Sequence, residues 1–148
     1  MVYVMSILGT KAGLISDLNL LLQIVIIIIL FAGFFFAKRK IRYDMHGKIM
    51  GIAVFLNLIS LIFVMVPGTI GGLSSLASRI MQPAILLTTI HKVFGGLAEI
   101  LGIIFIIILR PCGSKFIKNT RFLMKTTFAL WIIAFLLGVT AYIFFNIL

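Results

Sequence analysis

The sequence predicts an all-α, polytopic integral membrane protein: four transmembrane helices in an antiparallel bundle, with both termini outside. Three observations predict it. Four continuous apolar stretches, at residues 18–37, 49–66, 84–109 and 124–148, fill most of the 148-residue chain, and each approximates the 17–25 residues that cross a hydrocarbon core as a helix. Hydrophobic residues make up 63% of the chain and charged residues 11%, with a mean hydropathy of +1.31. A soluble domain averages about 45–50% apolar and 25% charged, so a water-soluble core is excluded. Nearly all Lys and Arg crowd into two of the connecting loops.

The stretches are helices and not barrel strands because they are too long and do not alternate with period two. The first has its cluster of positive charge after a full-length span, which predicts a retained anchor and not a cleaved signal. Pro67-Gly68 is expected to end the second helix, with Gly71, Gly72, Ser74, Ser75 and Ser78 loosening the loop that follows. Pro83 suits the entry to the third helix, where a missing N–H costs nothing. Pro111-Cys112-Gly113 stops that helix. The chain reads as one domain, residues 1–148. Small residues, among them Gly51, Ala53, Gly95, Gly96, Ala98, Gly102, Gly138 and Ala141, mark positions where helices approach closely.

Orientation follows from charge. The formal net charge is +10, and it is concentrated in Lys38, Arg39, Lys40, Arg42 and Lys48 of the first loop and Arg110, Lys115, Lys118, Arg121 and Lys125 of the third. The N-terminal arm has Lys11 and the second loop Arg79. Positive loops stay inside, so the chain is expected in the cell membrane as a multi-pass protein, with loops 38–48 and 110–123 cytoplasmic. These basic loops are expected to bind anionic lipids or an acidic partner surface, and not nucleic acid. Cys112 is the only cysteine, so there is neither an intrachain disulfide nor a cysteine-based metal site.

Polar residues sort by depth. Asn57 and Glu99 lie about 13 and 15 Å from the inner surface at 1.5 Å per residue. They share a level near the midplane, where a hydrogen bond between them is expected; the ordinary use is a structural interhelical bond, the sharper one a proton-linked role. Nearer the outside come Asn19 and Gln23, then Thr88, Thr89, His91 and Lys92, then Tyr142 and Asn146. Lys92 and Glu99 lie on one helix face but about 10 Å apart along the axis. His46 sits at the inner mouth of the second helix, and His91 about 27 Å from the inner end of the third. The two histidines therefore cannot ligate the same haem within one chain. Each would need its own partner: Met50 or Met124 near His46, Met65 or Met81 near His91, or a second copy of the chain. Asp17 and Asp44 fall near opposite surfaces. No phosphate loop, metalloprotease motif or nucleophile elbow occurs, so neither catalytic residues nor a metal site is expected.

Several phrases together resemble a known family. They are Asp17-Leu18-Asn19 opening the first span, His46-Gly47-Lys48-Ile49-Met50, Asn57 with Ser60, His91 with Gly95, and Arg121-Phe122-Leu123-Met124-Lys125 leading to Trp131, Gly138 and Tyr142. From about Asp17 onward the chain resembles the four-helix membrane family of CtaM/YozB-like proteins, with a weaker similarity to cytochrome b561-type bundles. The resemblance implies an accessory role in assembling or supporting a haem–copper oxidase; this chain carries fewer histidines than the family pattern. The leading expectation is a non-catalytic accessory or assembly subunit of a larger respiratory or other metalloenzyme complex in the membrane, with no cofactor. The alternatives are a haem-b electron-transfer protein using His46 or His91 and a small proton-linked carrier using Glu99. The candidate buried polar residues are Gln23, Asn57, Lys92 and Glu99, and the candidate partners are other membrane subunits and anionic lipids.

Overall fold

The computed structural model describes residues 6–38, 43–71, 82–109 and 117–147. Helix α1 spans Leu14–Lys38 and α2 spans Tyr43–Ser60; α3 spans Pro83–Leu109 and α4 spans Ile117–Asn146. All four are long and apolar enough to cross a membrane. Three begin several residues before the apolar stretches do, because an apolar run marks the length matched to hydrocarbon, while helical hydrogen bonding continues into the polar residues on either side.

α2 departs further from expectation. It passes through a π-helical turn at Leu61–Met65 and remains helical to residue 71, so Pro67-Gly68 does not end it. A proline in a regular helix lacks an N–H and collides with the carbonyl four residues back. In the widened turn the Val66 N–H reaches the Leu61 carbonyl, five residues back. That extra residue per turn directly before Pro67 relieves the collision without breaking the helix.

The helices pair as two hairpins, α1 along α2 and α3 along α4, which meet through α2 against α3 and α1 against α4. At one face of the bundle lie the end of α1, the start of α2, the end of α3 and the start of α4 (the basic-loop face, after the basic loops that join these helices in sequence). At the other lie the start of α1 and the end of α4 (the terminal face). The core is narrow: Ile26 and Leu30 of α1, Ala53 and Val54 of α2, Ala98 of α3 and Trp131 of α4. Phe128 ties α4 to α1, stacking on Phe34 at 4.9 Å and meeting Phe31 edge-on at 5.5 Å.

Close approach depends on missing side chains. A Cβ on Gly102 would lie 2.9 Å from Val54 Cγ2, and one on Gly138 would lie 2.8 Å from the His91 ring. The perimeter is apolar on every helix: Ile28 is 61% exposed, Phe63 72%, Ile107 65% and Leu136 57%. Soluble monomers rarely show contiguous apolar surface beyond a few hundred Å², so this exterior matches a hydrocarbon solvent. Thr89, Thr127 and Thr140 return their hydroxyls to carbonyls four residues back, so each is satisfied within its own helix.

These contacts set a stability ranking. Gly102→Ala and Gly138→Ala each overpack a crossing and are expected to cost about 1–3 kcal/mol. Gly96→Ala, whose new Cβ would meet nothing within 4 Å, leaves stability unchanged. Thermal unfolding midpoints in detergent measure the difference.

Candidate functional site

Between the helices, in the half nearer the terminal face, lies a cavity of about 400 Å³. Asn19, Gln23 and Asn57 line part of it, within a network of bonds that runs on to Ser60 and Glu99. On α1, Asn19 and Gln23 are four residues apart and share a face; on α2, Asn57 and Ser60 are three apart and answer them. Gln23 Nε2 donates to Asn57 Oδ1 at 3.1 Å and to Ser60 Oγ at 3.0 Å. The Ser60 hydroxyl donates in turn to Asn19 Oδ1 at 2.5 Å. Asn57 Nδ2 then donates to Glu99 Oε2 at 2.8 Å. The expected Asn57–Glu99 bond is therefore present, and Gln23 belongs to the same chain of bonds. Ser60 immediately precedes the π-helical turn, a distortion that recurs near functional sites.

Among the described residues two buried side-chain atoms are left unmatched. Glu99 Oε1 and Trp131 Nε1 are buried without a hydrogen-bond partner. Because Oε1 is unpartnered, Lys92 does not reach it; Lys92 is half-buried and lines the cavity farther toward the terminal face. Toward the basic-loop face, Ile26, Leu30, Ala53 and Val54 close the bundle.

His91 also lines the cavity. Its Nδ1 lies 2.7 Å from the Ala134 carbonyl, which can only accept, so Nδ1 carries the proton and Nε2 presents a lone pair. At the opposite face His46 Nδ1 bonds the Gly33 carbonyl at 2.7 Å in the same way. The histidines are at separate levels, as helical rise predicts. That tautomer would suit an axial haem ligand, but the surroundings do not fit a macrocycle. The Nδ1–Cε1–Nε2 edge of His91 is laid against α4, at 3.1, 2.8 and 3.5 Å from the Cβ position of Gly138. A haem plane across Nε2 would cut into that helix. His46 and Met50 lie four residues apart on α2 and both face Gly33 of α1, so they cannot flank a haem from opposite sides.

The N-terminal segment contributes a second polar cluster that the sequence reading placed only near a surface. Asp17, in the first turn of α1, is fully buried. Its Oδ2 accepts from Ser6 Oγ at 2.9 Å and from the Ile7 and Leu8 N–H groups at 2.7 and 3.1 Å. Its Oδ1 accepts from Tyr142 OH at 2.5 Å. Thr10 bridges to Tyr142, and the Lys11 N–H donates to the Asn146 carbonyl. Gly9, at φ +69°, supplies the left-handed residue that turns this segment back over the helix start. The available signal was the lone acid of an apolar helix, with Ser6 and Thr10 upstream to serve it.

Among the basic residues, Lys48 and Lys125 are exposed near the basic-loop face. Arg39, Lys40, Arg42, Arg110 and Lys115 lie outside the described residues, with Arg79, Met81 and Cys112, as do the side chains of Lys38, Lys118 and Arg121. Among the described residues no group of three or more His, Cys, Asp or Glu gathers. In comparison with known proteins, the chain matches no family model, no curated protein and no solved structure.

Two variants separate the clusters. Asn57→Ala strips partners from Gln23 and Glu99 and is expected to cost about 1–3 kcal/mol for each buried group left unsatisfied, read as a lower unfolding midpoint. Asp17→Ala is expected to release residues 6–13 first, seen as faster amide exchange at Ile7 and Leu8 with α2 and α3 still protected.

Proposed function

We propose that the chain is a multi-pass protein of the cell membrane, with both termini outside and loops 38–48 and 110–123 cytoplasmic. It serves as a non-catalytic accessory or assembly subunit of a larger membrane complex, respiratory or another metalloenzyme, as the resemblance to CtaM/YozB-like proteins implies. The observation that carries this reading is an unfilled helix-packing surface. Gly47 and Gly51 lie one turn apart on α2, and a Cβ on either would meet nothing within 4 Å. Exposed Ile52 and Phe55 continue that face. In lipid, helices associate through small residues at this spacing, because backbones can then approach closely. Among the described residues nothing occupies this surface, which supports a neighbouring helix from another subunit. The apolar perimeter serves lipid elsewhere.

The carrier reading loses support from the apolar closure below the cavity, since alternating access requires a site reachable from both faces. The haem reading loses support from the packing of His91 along α4.

Copurification in mild detergent tests the proposal. The wild-type chain is expected to recover larger membrane partners. Gly47→Leu with Gly51→Leu is expected to lose them while keeping the wild-type unfolding midpoint; a stable lone monomer in both cases counts against an accessory role. Orientation is checked with the single cysteine: a membrane-impermeant maleimide labels Cys112 only after cells are permeabilised. The purified protein is expected to be colourless. A Soret band that disappears in His91→Ala or His46→Ala would overturn the non-haem assignment.

A further inference from the structure

Among the described residues Lys92 is a cation within a membrane-spanning stretch, with no acid paired to it. Asp17 is taken up by Ser6, the Ile7 and Leu8 N–H groups and Tyr142. Glu99 takes its hydrogen bond from Asn57. Neither acid lines the cavity, whereas Lys92 does. Drawing an ammonium out of water without a counter-charge is costly.

The helix face decides where that charge points. Ile85, Thr88, Lys92 and Gly95 all line the cavity and follow one another at three- and four-residue steps, hence share one face of α3. The opposite stripe of Leu86, Ile90, Val93 and Leu97 is exposed. Lys92 therefore projects from the cavity face and not toward lipid, and it is the only charged residue in the lining. Trp131 also lines the cavity, and its buried Nε1 has no partner. An indole N–H and an ammonium can only donate, so the unmet capacity of this wall calls for a ligand that accepts. The rest of the wall is largely apolar, with Leu20, Phe135 and Val139. A volume of about 400 Å³ falls within the range of about 300–1,000 Å³ typical of small-molecule pockets.

We propose that this cavity binds a single-chain organic monocarboxylate, of the fatty-acid class. Its carboxylate pairs with the Lys92 ammonium, and its hydrocarbon body lies in the apolar part of the cavity. Other ligands match the lining less well. An amine would bring a second positive charge beside the first. An alcohol would leave Lys92 without a counter-charge. An inorganic anion would leave the apolar walls unused, and a two-chain phospholipid exceeds the volume. This site does not depend on the accessory role proposed above: the lateral surface of α2 and the internal cavity are separate features, and each has its own test.

Trp131 is the only tryptophan in the chain, so its emission reports on the cavity directly. The full-length protein in non-ionic detergent is titrated at neutral pH with octanoate, with octanol and with octylammonium, at matched concentrations in the micelle. Octanoate is expected to shift the emission saturably and to bind at least about tenfold more tightly than octanol, the factor set by one charge-assisted hydrogen bond. Octylammonium is expected to give no saturable shift. Lys92→Met brings octanoate down to the level of octanol, whereas Lys92→Arg keeps the preference. Equal binding of octanoate and octanol to the wild-type protein would mean that Lys92 reaches water at the terminal face. A preference for octanoate that survives in Lys92→Met would place the acid at the basic loops. An emission that never saturates would reduce the response to the micelle. Each of these three outcomes overturns the proposal, and the wild-type comparison stands even if a Lys92 variant fails to fold.

Discussion

The hydrogen bond from Asn57 to Glu99 joins the two hairpins at the level where each has least else to offer. α1 pairs with α2 and α3 with α4 over long contacts, but the hairpins meet along narrower seams. At the α2–α3 seam the core is made of Ala53, Val54 and Ala98, small side chains that bring backbones together without much area of their own. The bond from Asn57 Nδ2 to Glu99 Oε2 at 2.8 Å fixes the register of this approach. One turn along α3, Gly102 accepts Val54 because it has no Cβ to oppose it. In hydrocarbon a polar side chain without a partner is costly, so the bond both holds the seam and restricts how the helices can slide. Gln23, Ser60 and Asn19 extend the restriction to α1.

The same arrangement makes the bundle unequal along its axis. Toward the basic-loop face, apolar packing is continuous and the aromatic rings of Phe31, Phe34 and Phe128 brace α1 against α4. Toward the terminal face, polar side chains hold the helices apart enough to leave a cavity. His91 belongs to this second half, yet its ring is immobilised by the Ala134 carbonyl and the bare backbone of Gly138. The imidazole therefore acts first as a packing element between α3 and α4. Its counterpart His46 plays the same part between α2 and α1 through Gly33.

How much was legible in the sequence depended on whether the determining residues were regular. Helical rise placed Asn57 and Glu99 at one depth, and it separated His46 from His91, because both inferences need only a fixed 1.5 Å per residue. The span count followed from hydropathy for a similar reason. Pro67 misled because proline is read as a stop, and the π-helical turn that accommodates it is a cooperative property of the preceding residues. The role of Asp17 was hidden because its donors come from the irregular segment around Gly9 and from Tyr142 at the far end of the chain. The unmatched pair at Glu99 and Trp131 was equally illegible, since rotation of one helix against another decides which atoms are left over.

The Asp17 cluster also bears on the order in which the molecule is made. Its tyrosine partner lies 125 residues later in the chain, on α4. While the earlier helices emerge, the carboxylate can draw on Ser6, the backbone of residues 7 and 8 and the Thr10 hydroxyl. Domains assemble from the N-terminus during synthesis, so this contact forms only when α4 arrives. Tyr142 and the Asn146 carbonyl, which receives Lys11, then join the end of α4 to the segment before α1. Without Tyr142 the buried Asp17 carboxylate would be short of a donor at the mouth of the bundle.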